Sequence, residues 1–175
     1  FRGFSLMSFA HFSAVLEPTN LTRRIYGFDT FGGFPAVSDG DQPATTGVAI
    51  GDHSADSFGE LSELIDIFDN DRFLGHLSKV QLIKGDVLET IPDFVENNQH
   101  LVISLLFMDL DLYEPTLAAL RCLVPLMPKG SILAFDELDN PIWPGETRAL
   151  RDELGLGGLE LRRFGFDPYI PYAVI

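Results

Sequence analysis

The chain has 175 residues, 46% apolar and 22% charged, with 12 basic against 26 acidic side chains for a net charge of −14. That size and balance indicate one soluble globular domain, residues 1–175, with a substantial core, and the acidity argues against a nucleic-acid backbone or an anionic membrane as partner. No apolar run reaches the ~20 residues needed to cross a bilayer, and the single Cys122 rules out an intrachain disulfide and fits a reducing, cytoplasmic setting.

The chain starts at Phe1 without a methionine or a charged and apolar leader. Its opening, FRGFSLMSFAHFSAVLE, reads as the tail of a loop entering a buried helix over Phe4 to Glu17, with Ser5 as an early cap and Pro18 as a stop. Such a start suggests truncation in mid-domain. RRIYGFD, residues 23 to 29, is a short strand ending in Asp29. Thr30 to Asp56 is a long Gly-, Pro-, Ser- and Asp-rich stretch, expected to be a lid, a binding loop or a disordered segment.

Ser57 to Phe68 has helical spacing, with Ser57 and Glu60 matching a capping box. KVQLIKG (79 to 85) is a strand, and a helix starts at about Asp86. LVISLLFM (101 to 108) is apolar without alternation, as expected of a strand buried on both faces. Glu114 and Pro115 open the next helix, PTLAALRCLVPL, because proline is tolerated where the amide is already unpaired. SILAF follows as a strand, then a helix over ETRALRDELGL closed by glycines, then two strands joined near Asp167 and Pro168 as a terminal hairpin.

Strands alternating with helices imply an α/β, doubly wound, mostly parallel sheet with right-handed crossovers. Asp29, Asp86, Asp109, Asp111, Asp136 and Glu137 all fall just after strands. In such a sheet those ends share one edge and open onto one crevice. Asp109 and Asp111 are i and i+2, so an extended backbone would point both the same way, roughly 7 Å apart. Asp136 and Glu137 would diverge in a strand but can converge in the turn after it. An all-oxygen set with room for water suits Mg²⁺ better than zinc. The purely structural reading is that these acids cap the helices that follow, as Glu114 does, and that most of the net acidity is a solvated surface.

Asp29 fits either a ribose-binding acid after the second strand of a nucleotide fold or an ordinary turn residue. Arg2 and Gly3 suit a glycine-rich turn that lets a cofactor approach the backbone. The histidines show no metal-binding spacing and read as ordinary surface or helix residues, with His53, in the long loop, the one placed to approach a substrate and act as base. Phe31, Phe34 and Trp143 also sit in loops, as stacking partners for an adenine or an acceptor, or as lid packing.

IYGFDTFGGFP, LIKGDVLETIP, LLFMDLDLYEPTLAAL and the DE after SILAF resemble the macrocin O-methyltransferase family, from Phe1 to about Leu150 and in the same order. The pairing of GFDTFxGFP with DLDLYEPT makes the resemblance specific. It implies a Rossmann-like methyltransferase using S-adenosylmethionine (SAM) and Mg²⁺ to methylate a small-molecule hydroxyl acceptor, a sugar or glycosylated natural product. Arg2, Gly3 and Ser5 then match the close of the SAM loop, Asp29 the ribose acid, and Gly85 with Asp86 the turn beside the adenine. Asp109, Asp136 and Glu137 match the metal ligands and Asp111 the general base, with Glu137 departing from the family's usual aspartate. The family's first strand and first glycine are missing from this sequence. A homo-oligomer is compatible with all of this.

Two other enzyme classes use an apolar run followed by DxD: haloacid-dehalogenase-type phosphohydrolases and metal-dependent glycosyltransferases. The first normally continues with Thr or Val and Gly, whereas Leu112 and Tyr113 follow here. A SAM-binding fold without turnover is the non-catalytic reading. If the sheet lacks its central strand, the neighbouring strands lose hydrogen-bond partners. The 175-residue chain is then expected to fold poorly on its own, and calorimetry showing cooperative unfolding with a normal enthalpy for this length would count against that.

Overall fold

A computed structural model describes residues 3–42, 49–167 and 170–175. The expected Arg2 contact and the Pro168 turn lie outside the described residues. The chain divides into two compact units, Phe1–Pro35 with His53–Asp86, and Ala36–Asp52 with Val87–Ile175. Both combine helices with a sheet, giving the α/β architecture expected from the alternation.

In the first unit, β1 (Ile25–Asp29) and β2 (Val80–Lys84) pair in parallel, in register from Ile25 opposite Val80 to Asp29 opposite Lys84. α1 (Phe4–Leu16) and α2 (Phe58–Asp71) pack around a core of Ala10, Phe31, Leu61, Ile65, Phe68 and Val80. Gly3, not Ser5, sits at the N-cap of α1, with φ at 78°, and Ser5 lies inside the first turn. The helix is apolar all round, so its sequence selects no inward face. Only Ala10 is buried, while Phe4, Phe12, Val15 and Leu16 are exposed, which corrects the expectation of a buried helix. Ser57 does occupy the N-cap of α2, but its hydroxyl donates to Ala55 O at 3.5 Å instead of closing a capping box.

In the second unit the strand order is β3 (Leu105–Met108), β4 (Ile132–Phe135), β6 (Pro171–Val174), β5 (Arg162–Arg163). β3 and β4 are parallel, whereas β6 runs antiparallel to both β4 and β5, which is the expected terminal hairpin. Helices α3 (Val87–Asn97), α4 (Tyr113–Leu123) and α5 (Gly145–Glu153) follow each other across the fold, with α4 packed against both neighbours. Leu133, Phe135 and Leu150 have no exposed surface, and Met108, Leu112 and Leu120 have almost none.

β3 is half the length that the apolar run implied. Val102 is 69% exposed and Leu105 41%, so the run is not a strand buried on both faces. Its first residues instead form a connection in which Ile103 N–H donates to Leu126 O at 3.0 Å, and only four residues enter the ladder. Hydropathy records that a residue is apolar; which backbone groups find partners decides where a strand begins.

Candidate functional site

Met108 and Phe135 are the last paired residues of β3 and β4, so Asp109 and Asp136 leave the sheet side by side. Asp136 N–H extends the ladder by one bond, donating to Met108 O at 3.0 Å. Adjacent strands lie about 4.8 Å apart, which puts the two acids in each other's field. Burial, then the Asp109 charge, then the Glu137 charge push the Asp136 carboxyl up to about 6, and Asp167 adds to the repulsion. Like charges accumulate here beyond what helix capping requires.

The backbone does not stay extended through the second aspartate. Asp111 has φ at 60°, in the left-handed region, and Leu112 N–H donates to Leu110 O at 2.6 Å in a tight turn. Strand alternation therefore does not govern Asp109 and Asp111, and the same-face geometry expected of an i, i+2 pair is overturned. A left-handed aspartate needs support from its surroundings, and Glu146 gives it.

Glu146, in the first turn of α5, has no exposed surface. Its Oε1 accepts from Leu110 N at 3.0 Å and Asp111 N at 3.2 Å, and its Oε2 accepts from Glu137 N at 3.2 Å. One buried carboxylate thus joins the turn after β3 to the turn after β4. Burial pushes the Glu146 carboxyl up to about 8, while the three N–H donors pull it down and the Asp111 charge pushes it up further. Gly145 makes the approach feasible, since a Cβ there would stand 2.4 Å from Asp111 O and 2.6 Å from Tyr113 N.

A second carboxylate fixes the far side of the turn. Asp41, 2% exposed, comes from a short 3-10 turn at Asp39–Asp41 within the long loop. Its Oδ1 accepts from Tyr113 N, the first amide of α4, and its Oδ2 from Ser38 N at 2.7 Å and Ser38 Oγ at 2.6 Å. Arg148 Nη1 donates to Gly40 O at 2.8 Å, so α5 holds this part of the loop as well. At Asp41, then, the stretch expected to be a lid, a binding loop or a disordered segment is a buried anchor.

In the first unit, Asp29 ends β1, and its carbonyl accepts from Gly85 N at 3.0 Å, which brings together Asp29, Gly85 and the neighbouring Asp86 at the carboxyl ends of β1 and β2. Asp29 Oδ1 accepts from Phe31 N at 2.8 Å, closing a side-chain turn, and the acid itself is exposed. Gly3 meets the side of Leu61 so closely that a Cβ would stand 2.5 Å from Leu61 Cδ1. Phe31 is core, edge-on to Phe58 with ring centres 5.1 Å apart, and so is not a stacking platform for a ligand. Phe34 stacks on His53 at 5.4 Å. Trp143 is half-buried in the loop before α5.

Metal binding asks for converging oxygens. Among the described residues, no group of three or more His, Cys, Asp or Glu is arranged to hold an ion, so Asp109, Asp136 and Glu137 are not brought together as a ligand set. The Glu137 carboxylate accepts from Asn140 Nδ2, which turns it toward its own loop. Asp109 and Asp136 do share a field, and as hard oxygen donors they suit a divalent cation that would relieve their repulsion.

The sequence reading missed Glu146 and Asp41. Glu146 looks like any first-turn helix acid, and Asp41 like any loop aspartate. The available signal was Trp-Pro-Gly-Glu, where glycine before a helical acid marks a close backbone approach.

A methyltransferase-domain family model matches residues 1–138. The fold superimposes on the crystal structure of CalS11, a calicheamicin methyltransferase, with a TM-score of 0.91 and 43% identity over 99% of this chain and 68% of that one. The apo form of CalS11, described as a TDP-rhamnose 3'-O-methyltransferase of calicheamicin biosynthesis, gives 0.83 and 41% over the same shares. The O-methyltransferase NovP shares the fold at a TM-score of 0.62 and 22% identity, over 92% of this chain and 63% of that one. No curated protein sequence matches significantly.

Glu146→Gln retains shape but sets an amide N–H₂ against one of the three backbone donors. Urea denaturation should show a loss of about 1–3 kcal/mol with an unchanged slope, the cost of one buried donor left unpaired. For Asp136, a folded pKa near 6 against an ordinary 3.8 means that its contribution to stability is fully present below pH 3.8 and is lost as pH rises through 6. Without metal, Asp136→Asn should therefore raise Tm at pH 8 and leave it nearly unchanged at pH 4.

Proposed function

The chain belongs to the family of methyltransferase-domain enzymes, and from that premise we propose that it is an O-methyltransferase of the macrocin type, with SAM as donor and a hydroxyl of a sugar or related natural product as acceptor. The observation that carries this reading is the acid cluster held by Glu146 at the carboxyl edge of β3 and β4. Its setting is a chain 43% identical to CalS11, and CalS11 is described as methylating a sugar hydroxyl. A cytoplasmic enzyme is part of the same proposal. Among the described residues no helix is long and apolar enough to cross a membrane.

Each residue has an assigned task. Asp29 receives the ribose hydroxyls of SAM, Gly85 and Asp86 line the adenine side, and Gly3, at the N-cap of α1, with Ser5 in its first turn, lies next to the rest of the cofactor. SAM, when bound, supplies an activated methyl on a sulfonium, so the protein's part is orientation and proton transfer. Asp111 is the general base that accepts the proton of the acceptor hydroxyl as its oxygen takes the methyl. Its backbone is held by Glu146 through an N–H bond of 3.2 Å. A sugar hydroxyl has a pKa far above 7, and a carboxylate alone is a weak base for it. Asp109 and Asp136 are the hard oxygen donors that would hold a divalent cation, and such a cation would lower that pKa.

Transfer of a labelled methyl from SAM to a diol-bearing sugar acceptor tests the proposal. Asp111→Asn and Asp109→Asn should each lower kcat/KM with Mg²⁺ by about 100-fold or more. Unchanged rates in both variants would sink the mechanism. SAM binding without turnover would leave a non-catalytic domain, and phosphate release from a phosphomonoester without SAM would favour a phosphohydrolase.

A further inference from the structure

The terminal hairpin carries three stacked aromatic rings, and the outermost, Phe166, is 86% exposed. β6 runs antiparallel to β4, with Ala134 opposite Tyr172 and Ile132 opposite Val174. The start of β6 therefore lies at the carboxyl end of β4, the edge from which Asp136 and Glu137 emerge. Arg163 pairs with Pro171, so Phe164 and the residues after it leave β5 at that same edge.

At this edge Phe164 stacks on Tyr172 with ring centres 5.2 Å apart and planes 27° apart, and Phe166 stacks on Phe164 at 5.2 Å and 16°. The Phe164–Tyr172 pair has a sufficient structural reason, since cross-strand aromatics stabilise a hairpin. Phe166 has none of that kind. It is 86% exposed and Phe164 is 49% exposed, so the ladder ends in an open ring. Near-parallel stacking is how flat, electron-rich ring systems are held without sequence- or group-specific hydrogen bonds.

We propose that Phe166, Phe164 and Tyr172 form the acceptor subsite, taking a flat π-ring system attached to the sugar whose hydroxyl is methylated. The ring extends the ladder, and the sugar reaches from it along the sheet edge toward Asp136, Asp109 and Asp111. This rests on the methyl-transfer reading and narrows it: the acceptor is a sugar that carries a planar group, either the base of a nucleoside-diphosphate sugar or an aromatic aglycone. The ladder residues do not touch the reacting atoms; they position the acceptor.

The test compares three acceptors built on one deoxysugar: its thymidine-diphosphate ester, its p-nitrophenyl glycoside and its methyl glycoside, which has no flat ring. With the full chain and SAM, Phe166→Ala should raise KM about tenfold for the ring-bearing acceptors, leave kcat nearly unchanged and leave the methyl glycoside unaffected. Phe166→Trp should restore the lower KM. The ring-bearing acceptor with the larger KM change identifies the nucleotide or the aglycone as the natural source of the ring. An unchanged KM for all three, or an equal rise for all three, overturns the subsite. Wild-type protein that methylates none of them overturns the methyl-transfer reading instead. In that case calorimetry with the p-nitrophenyl glycoside decides the subsite: binding lost in Phe166→Ala supports it, and binding that is equal in both or absent from the wild type overturns it.

Discussion

The candidate site depends on one buried carboxylate more than on any acid exposed to a ligand. Glu146 has two oxygens and three backbone N–H partners, drawn from the turn after β3 and the turn after β4. Removing a charge-bearing side chain from water is costly unless hydrogen bonds replace the solvent. Here the replacement comes from amides that would otherwise be stranded in tight turns, so each side of the interaction answers a need of the other. Glu146 thereby constrains the backbone at Asp111 and Glu137 without itself being exposed. The distinction between residues that act and residues that place them runs through the whole second unit.

Asp41 repeats the arrangement at the other end of the same turn. It accepts the first amide of α4 with one oxygen and folds its own loop with the other. α4 therefore begins with an acid at its positive end, although the acid is more than seventy positions away in sequence. Gly40 and Gly145 are the matching spaces, since side chains there would strike the Tyr113 ring and the Asp111 carbonyl. A loop that sequence composition marks as irregular is thus tied to the start of α4 and to α5.

These features show what could and could not be read from residues alone. β1, β2, β4 and the helices after α1 were legible because period and turn residues agree there, and the acids at strand ends stood out because each follows an apolar run. β3 was overextended because LVISLLFM is uniformly apolar and hydropathy does not record hydrogen-bond partners. Asp111 was misplaced because i, i+2 spacing implies a shared face only while the chain remains extended, and a positive φ is invisible in composition. Glu146 and Asp41 were missed because long-range hydrogen bonds leave no local pattern. The acids that a ligand would touch sit in short recognisable motifs, whereas those that hold the motifs in place are scattered.

α1 has a consequence for how the protein behaves in solution. Phe4, Phe12, Val15 and Leu16 present bare hydrocarbon to water on a helix with no charged side chain. Such a surface favours self-association through apolar contact, and what opposes it is the long-range repulsion of a molecule bearing a net charge of −14. That repulsion is screened within about 10 Å at 0.1 M salt and vanishes as carboxylates take up protons. Colloidal stability is therefore borrowed from the acidic surface, and high salt or mild acid should bring clustering through α1 well before either unfolds the chain.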